Sequence, residues 1–320
     1  MGHTVRSFED SNFSNIGCGP ALEPVKGLKV TTLADNLTFH GSLLGQWGLS
    51  FLLEITAADD RKRMIIFDTG AVKDALLFNI DQLGIDLSNL EAVVLSHGHR
   101  DHTAATVELV RRSRRRVQVI AHPHAFKKRF VVTRDGKRRF FQVPKGEREK
   151  DIEQAGAGLV LTKEPFQILP GVATTGEISR LTRFERIVGK RFIVVGRESQ
   201  PDSILDDQAL IINVRGQGAW VVTGCAHSGI TNTLRKAESI AQSLSVHAVV
   251  GGFHLASERE DRIKHTVDAL RSYKPKLISP CHCTGFRATR MIWEAFEREF
   301  VLNFSGRTIV SGERTRPNTL

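Results

Sequence analysis

The chain is poor in cysteine and has no long apolar run. Only four of its 320 residues are cysteine and only one is tyrosine. So few cysteines exclude a disulfide scaffold, and no stretch approaches the roughly 20 uncharged apolar residues that cross a bilayer. The first residues hold no apolar core of a secretory signal. The apolar (41%) and charged (25%) contents are ordinary for a globular protein, so we expect a soluble, cytoplasmic protein with no membrane partner.

No Gly/Ser-rich linker divides the chain, which favours a single domain over residues 1–320. Apolar runs typical of strands come in two sets, each followed by alternating helical and strand patterns. The predicted strands are Leu28–Leu33, Leu49–Ile55, Met64–Phe67, Ala92–Leu95, Val117–Ala121, Phe166–Leu169, Phe192–Val195, Ala209–Val214, Trp220–Thr223, His247–Val250 and Leu277–Ser279. The predicted helices are Thr103–Arg112, Thr231–Ser243, Glu258–Ser272 and Ala288–Phe300. Two sheets packed face to face with helices outside would satisfy this pattern.

Positive charge is concentrated in one segment. The net charge is +10, and residues 111–150 alone contain 15 Lys/Arg and 3 Asp/Glu, a balance of +12. We interpret residues at about 125–158 as a basic insertion, either a solvated surface or a collar for an anionic ligand such as phosphate or nucleic acid. Its aromatic residues Phe130, Phe140 and Phe141 stand among Arg129, Arg134, Lys137, Arg138 and Arg139. The Asp135-Gly136 turn favours a β-hairpin around these aromatics over a platform for stacking a planar ring.

The strongest chemical signal is the segment 96–103, which follows the predicted strand Ala92–Leu95. It holds His97, His99, Asp101 and His102 within six residues. Burying four such side chains unpaired would be costly, whereas imidazole nitrogen and carboxylate oxygen are good ligands for zinc. On a turn, the first two can point to one side and the last two to the other. That arrangement offers two neighbouring metal positions, which could hold a hydroxide and polarise a phosphoryl or carbonyl oxygen.

This His-x-His-x-Asp-His motif resembles that of the metallo-β-lactamase superfamily. The resemblance implies an αββα four-layer sandwich with a binuclear site between its sheets. It also implies that Asp68 in Phe67–Gly70 orients the ligand loop, whereas taken alone Asp68 is more typical of a residue that caps a turn. Further motifs are similar to one branch, named after archaeal 7,8-dihydropterin-6-methyl-4-(β-ribofuranosyl)aminobenzene-5′-phosphate synthases of methanopterin biosynthesis. These motifs are Gly48–Ser50, Asp206–Leu210, Thr223–Ile230, Gly251–Leu255 and Pro280–Gly285. The resemblance covers about residues 28–311.

The resemblance also implies a ligand set. One metal would be bound by His97 and His99, and the other by Asp101, His102 and His282. The expected metal is zinc, as one or two ions, with iron or manganese as alternatives.

The chain departs from the family pattern at two points. The segment 170–176 has no histidine where the family has a Pro-Gly-His-Thr ligand segment, and Gly224-Cys225 replaces a Gly-Asp pair with a bridging aspartate. We expect His227 to substitute as a ligand of the first metal. Cys225 would either bridge as a thiolate or stay outside the coordination sphere.

Two further residues have alternative interpretations. His254 is either a structural residue at a strand end or a proton donor at the mouth of the cleft, and histidine is well suited to that role near neutral pH. Asp35 either caps a turn or lies near the cleft. The expected catalytic residues are Asp101 and His254.

These observations predict a metal-dependent hydrolase that acts on a small anionic, phosphate-bearing substrate through metal-bound hydroxide. The alternative is a dihydropterin-type synthase, a transferase in which the metals hold a diphosphate leaving group while an arylamine attacks a pterin methylene carbon. A nuclease is a weaker alternative because no separate nucleic-acid module is visible. A non-catalytic binding protein is disfavoured by the intact ligand cluster, and the oligomeric state is not predicted.

Overall fold

The computed structural model describes residues 14–15, 22–185, 191–242 and 244–313. The strands in these ranges form three sheets. The strands are β1 (Ser14–Asn15), β2 (Gly27–Ala34), β3 (Ser50–Thr56), β4 (Lys62–Phe67), β5 (Leu90–Val94), β6 (Gln118–Ala121), β7 (Arg129–Val132), β8 (Arg138–Phe140), β9 (Gly158–Leu161), β10 (Phe166–Leu169), β11 (Val172–Thr174), β12 (Arg191–Val195), β13 (Glu198–Pro201), β14 (Ala209–Val214), β15 (Gly218–Thr223), β16 (Val246–Gly252), β17 (Leu277–Cys281) and β18 (Thr308–Val310). The helices are α1 (Lys73–Gln82), α2 (Arg100–Thr103), α3 (Thr106–Arg112), α4 (Glu149–Gln154), α5 (Ile230–Ala241), α6 (Glu260–Tyr273), the 3-10 helix η1 (His282–Thr284) and α7 (Phe286–Ala295). None of the helices within these ranges has the length and apolar content needed to span a membrane.

Two seven-stranded sheets pack face to face. The first has the order β18-β2-β3-β4-β5-β6-β9 and the second the order β1-β10-β11-β14-β15-β16-β17. Phe51 and Phe67 of the first sheet share one buried cluster with Leu210 and Trp220 of the second. Alternate residues of a strand face opposite sides of its sheet. In β3, Phe51 therefore packs between the two sheets, whereas Leu52 packs against the helices.

Helices cover both outer faces. Leu76 of α1 and Ile152 of α4 pack on the first sheet, while Leu234 of α5 and Ile263 of α6 pack on the second. The predicted αββα four-layer sandwich is therefore confirmed.

The helix predicted over Thr103–Arg112 is wrong at its start, because two short helices replace it. The carbonyl of His102 accepts a hydrogen bond from the Thr69 amide at 2.7 Å, and the Ala104 amide donates to the Gly70 carbonyl at 3.0 Å. These long-range bonds take the backbone groups that a continuous helix would have used.

The last predicted helix, Ala288–Phe300, also differs, because α7 ends at Ala295. Residues 299–301 bond to Ile278 of β17 instead, at 2.8 and 2.9 Å. Helix α1 was not predicted.

A third, four-stranded sheet has the order β13-β12-β7-β8. Its β7–β8 pair confirms the hairpin predicted around Asp135-Gly136. Phe130 is buried in this sheet and stacks on Phe192 at 5.4 Å, whereas Phe140 is exposed. The division of the chain into one domain with a basic insertion at about 125–158 stays a prediction.

Candidate metal centre

The predicted chemical residues meet where strands of both large sheets end. The histidine loop, residues 96–102, follows β5, and loops after β15, β16 and β17 reach the same place. The residues brought together are Asp68, His97, His99, Asp101, His102, Cys225, His227, His254, His282 and Cys283, which we call the candidate centre. Asp35 lies beside it.

One group consists of three imidazoles. Ligand atoms of His97, His99 and His227 lie within 4.8 Å of one another, and Nε2 of His227 is 3.2 Å from Nδ1 of His99. The third imidazole thus comes from the loop after β15. Residues 170–176, which lack a histidine, instead contribute β11, paired with β14.

A second group combines a carboxylate with two imidazoles. Oδ2 of Asp101 lies 3.6 Å from Nε2 of His282 and 3.9 Å from Nε2 of His102. Burial acts to raise the pKa of Asp101, but the neighbouring His102 and His282 outweigh it and hold the pKa well below its usual range. Asp101 is therefore ionised at neutral pH.

A thiol lies within reach of both groups. Sγ of Cys225 is 3.2 Å from Nε2 of His102 and groups with His97 as well. It forms a further set with His254 and Cys283. Cys283 was not among the predicted ligands, although it stands next to His282 in the sequence.

Buried carboxylates orient the ligands. Asp68 accepts hydrogen bonds from the Ser96 amide at 2.7 Å and the Ser96 hydroxyl at 2.6 Å, and its Oδ2 lies 2.6 Å from Nδ1 of His102. Asp35 accepts a bond from the His282 amide at 2.8 Å. A carboxylate at a ring nitrogen, as Asp68 is at Nδ1 of His102, fixes the ring orientation of a metal-binding histidine, whereas Asp35 holds the backbone of His282.

A buried ion-pair cluster holds the backbone of the histidine loop in place. Asp206 accepts a bond from the Gly98 amide at 2.7 Å and one from Arg129 at 2.5 Å, and Arg129 also bonds to Asp202 at 2.8 Å. Gly98 allows this close packing, since a Cβ there would lie 1.8 Å from the Ala125 carbonyl oxygen. Arg129 is therefore not one of the cations available to an anionic ligand, which corrects its predicted place in the basic collar.

Burial sets the charge of the imidazoles. It lowers the pKa of His97 and His227 well below the ordinary value, and it lowers the pKa of His99 to about 3. At His102, burial acts in the same direction, but neighbouring aspartates, Asp68 foremost, outweigh it and raise the pKa to about 9. The first three imidazoles are neutral at neutral pH, so their nitrogen lone pairs can bind a cation.

The backbone is strained at the candidate centre. Asp68, Ala226, His254 and His282 have φ values of 61°, 52°, 49° and 50°, in the left-handed region that residues other than glycine rarely adopt. Such strain is characteristic of functional sites.

The residues fit a divalent cation. The Nε2 atoms of His97, His99 and His282 are buried and have no hydrogen-bond partner among the residues described. An unpaired buried polar atom costs free energy, and coordination would remove that cost. Nitrogen, carboxylate and thiol donors suit zinc, and the nitrogen and oxygen donors also suit iron or manganese.

The amino-acid sequence is similar to those of known proteins. A model of the metallo-beta-lactamase superfamily matches residues 48–180. The 7,8-dihydropterin-6-methyl-4-(beta-D-ribofuranosyl)-aminobenzene-5′-phosphate synthase of Methanocaldococcus jannaschii is 33% identical, over 89% of this chain and 97% of that protein. An uncharacterized protein of the same organism is 29% identical, over 81% of this chain and 91% of that protein.

Solved structures agree. A protein described as a metal-dependent hydrolase of the beta-lactamase superfamily superposes with a TM-score of 0.72 and 25% identity, over 88% of this chain and 98% of that chain. The metallo-beta-lactamase fold protein YhfI from Bacillus subtilis shares the fold, with a TM-score of 0.52 and 12% identity over 89% of this chain and 100% of that chain.

Proposed function

The chain belongs to the metallo-β-lactamase superfamily, and on that premise we propose that it is a metal-dependent hydrolase of a small phosphate-bearing molecule. The observation that carries this proposal is the convergence of two histidine-containing groups, around His97 and around His282, on the thiol of Cys225. Two adjacent cation positions suit phosphoryl chemistry.

The ligands divide into two sets. One cation would be held by His97, His99 and His227, and the other by Asp101, His102 and His282, with Cys225 within reach of both. Bound divalent cations supply Lewis acidity toward a phosphoryl oxygen and toward water. We expect zinc, with iron or manganese as alternatives.

Two side chains are assigned to proton handling. The side chain of Asp101 is 25% exposed and ionised, so it can accept a hydrogen bond from water that enters the cleft. Nδ1 of His254 is buried and has no partner within the described ranges, and its ring lies 4.1 Å from that of His227. We assign His254 as the proton donor to the leaving group.

The basic hairpin β7–β8 supports the choice of an anionic substrate. It is fastened to the histidine loop, because the Arg100 amide donates to the Phe141 carbonyl at 2.9 Å and the Phe141 ring lies 4.8 Å from the His99 ring. Its cations Arg134, Lys137, Arg138 and Arg139 are exposed. Such a cluster near the cleft would raise the local concentration of an anionic substrate.

The second candidate is a transferase that releases diphosphate. It is favoured by the 33% identity with the archaeal synthase over most of both chains. The same residues would then hold the cations, whose positive charge would stabilise the diphosphate leaving group, and an arylamine rather than water would attack the carbon.

A substrate panel separates the two candidates. The purified protein is given phosphomonoesters, phosphodiesters, a lactone and a pterin diphosphate, with and without an arylamine riboside phosphate. A hydrolase releases product without the arylamine, whereas a transferase releases diphosphate only when it is present. His97→Ala should abolish either activity, while His122→Ala, a buried histidine bonded to Glu177 outside the candidate centre, should retain it. Full activity in His97→Ala would contradict both candidates.

A further inference from the structure

One half-buried arginine of the four-stranded sheet has no anionic partner. Arg191 is the first residue of β12, an inner strand of the sheet β13-β12-β7-β8. Its guanidinium forms no ion pair with any carboxylate in the described ranges of the chain. Removing a cation from water without an anionic partner costs free energy. The unpaired charge of Arg191 therefore indicates a place for an anionic ligand.

The register of the sheet determines which way Arg191 faces. Arg191 of β12 pairs with Val131 of β7, and Ile193 pairs with Arg129. Residues that pair across strands share a face of the sheet, and so do alternate residues along one strand. Arg191 therefore lies on the same face as Arg129, whose guanidinium bonds to Asp206 and through it to the histidine loop. This is the face that packs toward the candidate centre.

The two arginines on this face differ in what neutralises their charge. Arg129 is fully buried and forms ion pairs with Asp202 and Asp206. Asp202 also stands opposite Arg191, because its amide donates to the Arg191 carbonyl at 2.9 Å. Both oxygens of Asp202 already accept hydrogen bonds, Oδ2 from Arg129 and Oδ1 from the Ile204 amide, each at 2.8 Å. The carboxylate opposite Arg191 is thus engaged elsewhere, which leaves the Arg191 guanidinium for a ligand.

Arg191 also lies near the first set of predicted ligands. Burial, and then the neighbouring imidazoles, lower the pKa of His227, and the positive charge of Arg191 adds to this shift. The guanidinium is therefore within electrostatic range of His227. Arg139 of β8 pairs with Val131 from the other side and is exposed on the same face. An anion at the first cation position would have this cationic face of the sheet beside it.

We propose that Arg191 binds the phosphate of the substrate, with two guanidinium N–H groups donating to non-bridging phosphate oxygens on the His227 side of the cleft. The inference rests on the proposed function, because the phosphate is that of the proposed substrate. The guanidinium is planar, and its paired donors match two oxygens of one phosphate. Arg191 is then a residue that determines specificity, because it favours phosphate-bearing substrates over neutral esters and lactones.

Binding of inorganic phosphate tests this independently of turnover. Calorimetric titration of the purified protein measures the Kd. Arg191→Met keeps much of the apolar side chain and removes the guanidinium, and it should raise the Kd by about tenfold or more, because hydrogen bonds to a charged group are lost. Arg191→Lys keeps the charge without the paired donors and should give an intermediate Kd. This variant replaces Arg191→Met in the test if the methionine protein does not fold.

The matched control is Arg197→Met. Arg197 is exposed in the turn between β12 and β13, at the opposite end of the strand from Arg191. The variant removes the same charge from the same sheet, and we expect the phosphate Kd of the unmodified protein. With a phosphomonoester as substrate, Arg191→Met should raise KM by about tenfold with little change in kcat, as expected when binding is lost from ground state and transition state alike.

The outcome for Arg191 is separate from that for the proposed function. The inference is overturned if the unmodified protein does not bind phosphate, if Arg191→Met binds it with an unchanged Kd, or if Arg197→Met weakens binding equally. Each of these results would overturn it even where phosphate esters are hydrolysed. Phosphate binding that depends on Arg191, without hydrolysis of any phosphate ester, supports the inference and contradicts the proposed hydrolase function.

Discussion

Asp68 and His102 form a buried pair in which the carboxylate Oδ2 lies 2.6 Å from Nδ1 of the imidazole. The contact leaves Nε2 of His102 directed at Cys225 and Asp101, at 3.2 and 3.9 Å. The carboxylate thus determines which nitrogen of this imidazole is offered to a cation.

Asp68→Asn should weaken metal binding by about 10- to 100-fold, because the amide lacks the charge that orients His102 and strengthens it as a ligand. Competition with a chromogenic chelator measures the affinity. Asp60→Asn is the matched control, since Asp60 is exposed and also has a left-handed backbone, with φ of 68°. Equal affinities for the two variants would mean that Asp68 has no orienting role.

Cys225 should bind the cation as a thiolate. Burial raises the pKa of its thiol well above the usual value, so the thiolate forms only when a cation coordinates it. Replacement of the native metal by cobalt(II) should therefore give a sulfur-to-metal charge-transfer band in the near ultraviolet. The band should vanish in Cys225→Ser and persist in Cys281→Ser, whose thiol is buried but lies in none of the candidate metal groups of the described residues. A spectrum without the band in the unmodified protein would exclude Cys225 from the coordination sphere.

Arg129→Met should destabilise the fold by about 3–5 kcal/mol, because it leaves Asp202 and Asp206 buried without their cation. The free energy of unfolding is obtained from denaturant titration. Arg134→Met, on the exposed turn of the same hairpin, should change it by no more than about 0.5 kcal/mol. A similar small change for Arg129→Met would show that the pair contributes little to stability.

Glu147 should make stability depend on pH. Its carboxylate accepts a 2.8 Å bond from the Val107 amide in the first turn of α3, and burial raises its pKa from 4.5 to about 7. Between pH 4.5 and about 7, Glu147 is therefore protonated in the folded protein but ionised in the unfolded chain. The stability that Glu147 contributes is fully present below pH 4.5 and is lost as the pH rises to about 7.

Glu147→Gln removes the titration and keeps an acceptor for Val107. The free energy of unfolding of the variant, relative to that of the unmodified protein, should therefore be roughly 2 kcal/mol greater at pH 8 than at pH 5. A tenfold change in proton affinity is worth about 1.4 kcal/mol. Denaturant titrations at both pH values measure the gain. A stability difference that is the same at both would contradict the raised pKa.

The strands could be predicted from the sequence because their signal is local. In β3 the order of the residues itself predicts a strand. The Asp135-Gly136 turn was sufficient to predict the hairpin. The break between α2 and α3 could not be predicted, since it depends on a bond between Thr69 and His102, which lie far apart in sequence. Local propensity does not encode such competition for backbone groups.

The residues of the candidate centre likewise differ in whether the local sequence was enough to predict their roles. The histidine loop is compact in sequence and was identified from its composition, whereas His227 and His282 were expected because of the family resemblance. Arg129 was misinterpreted because its partner Asp206 lies 77 residues away. A cation in a basic run gives no sign that it is buried and paired; only the folded chain shows that.

Metal analysis of the protein and its histidine variants tests the central claim most directly. Mass spectrometry of the purified, dialysed protein should find one or two divalent cations per chain, fewer in His227→Ala and in His282→Ala, and the unmodified amount in His122→Ala. The account is contradicted if both His227→Ala and His282→Ala retain the metal content of the unmodified protein, because the two groups of residues would then not be the ligands.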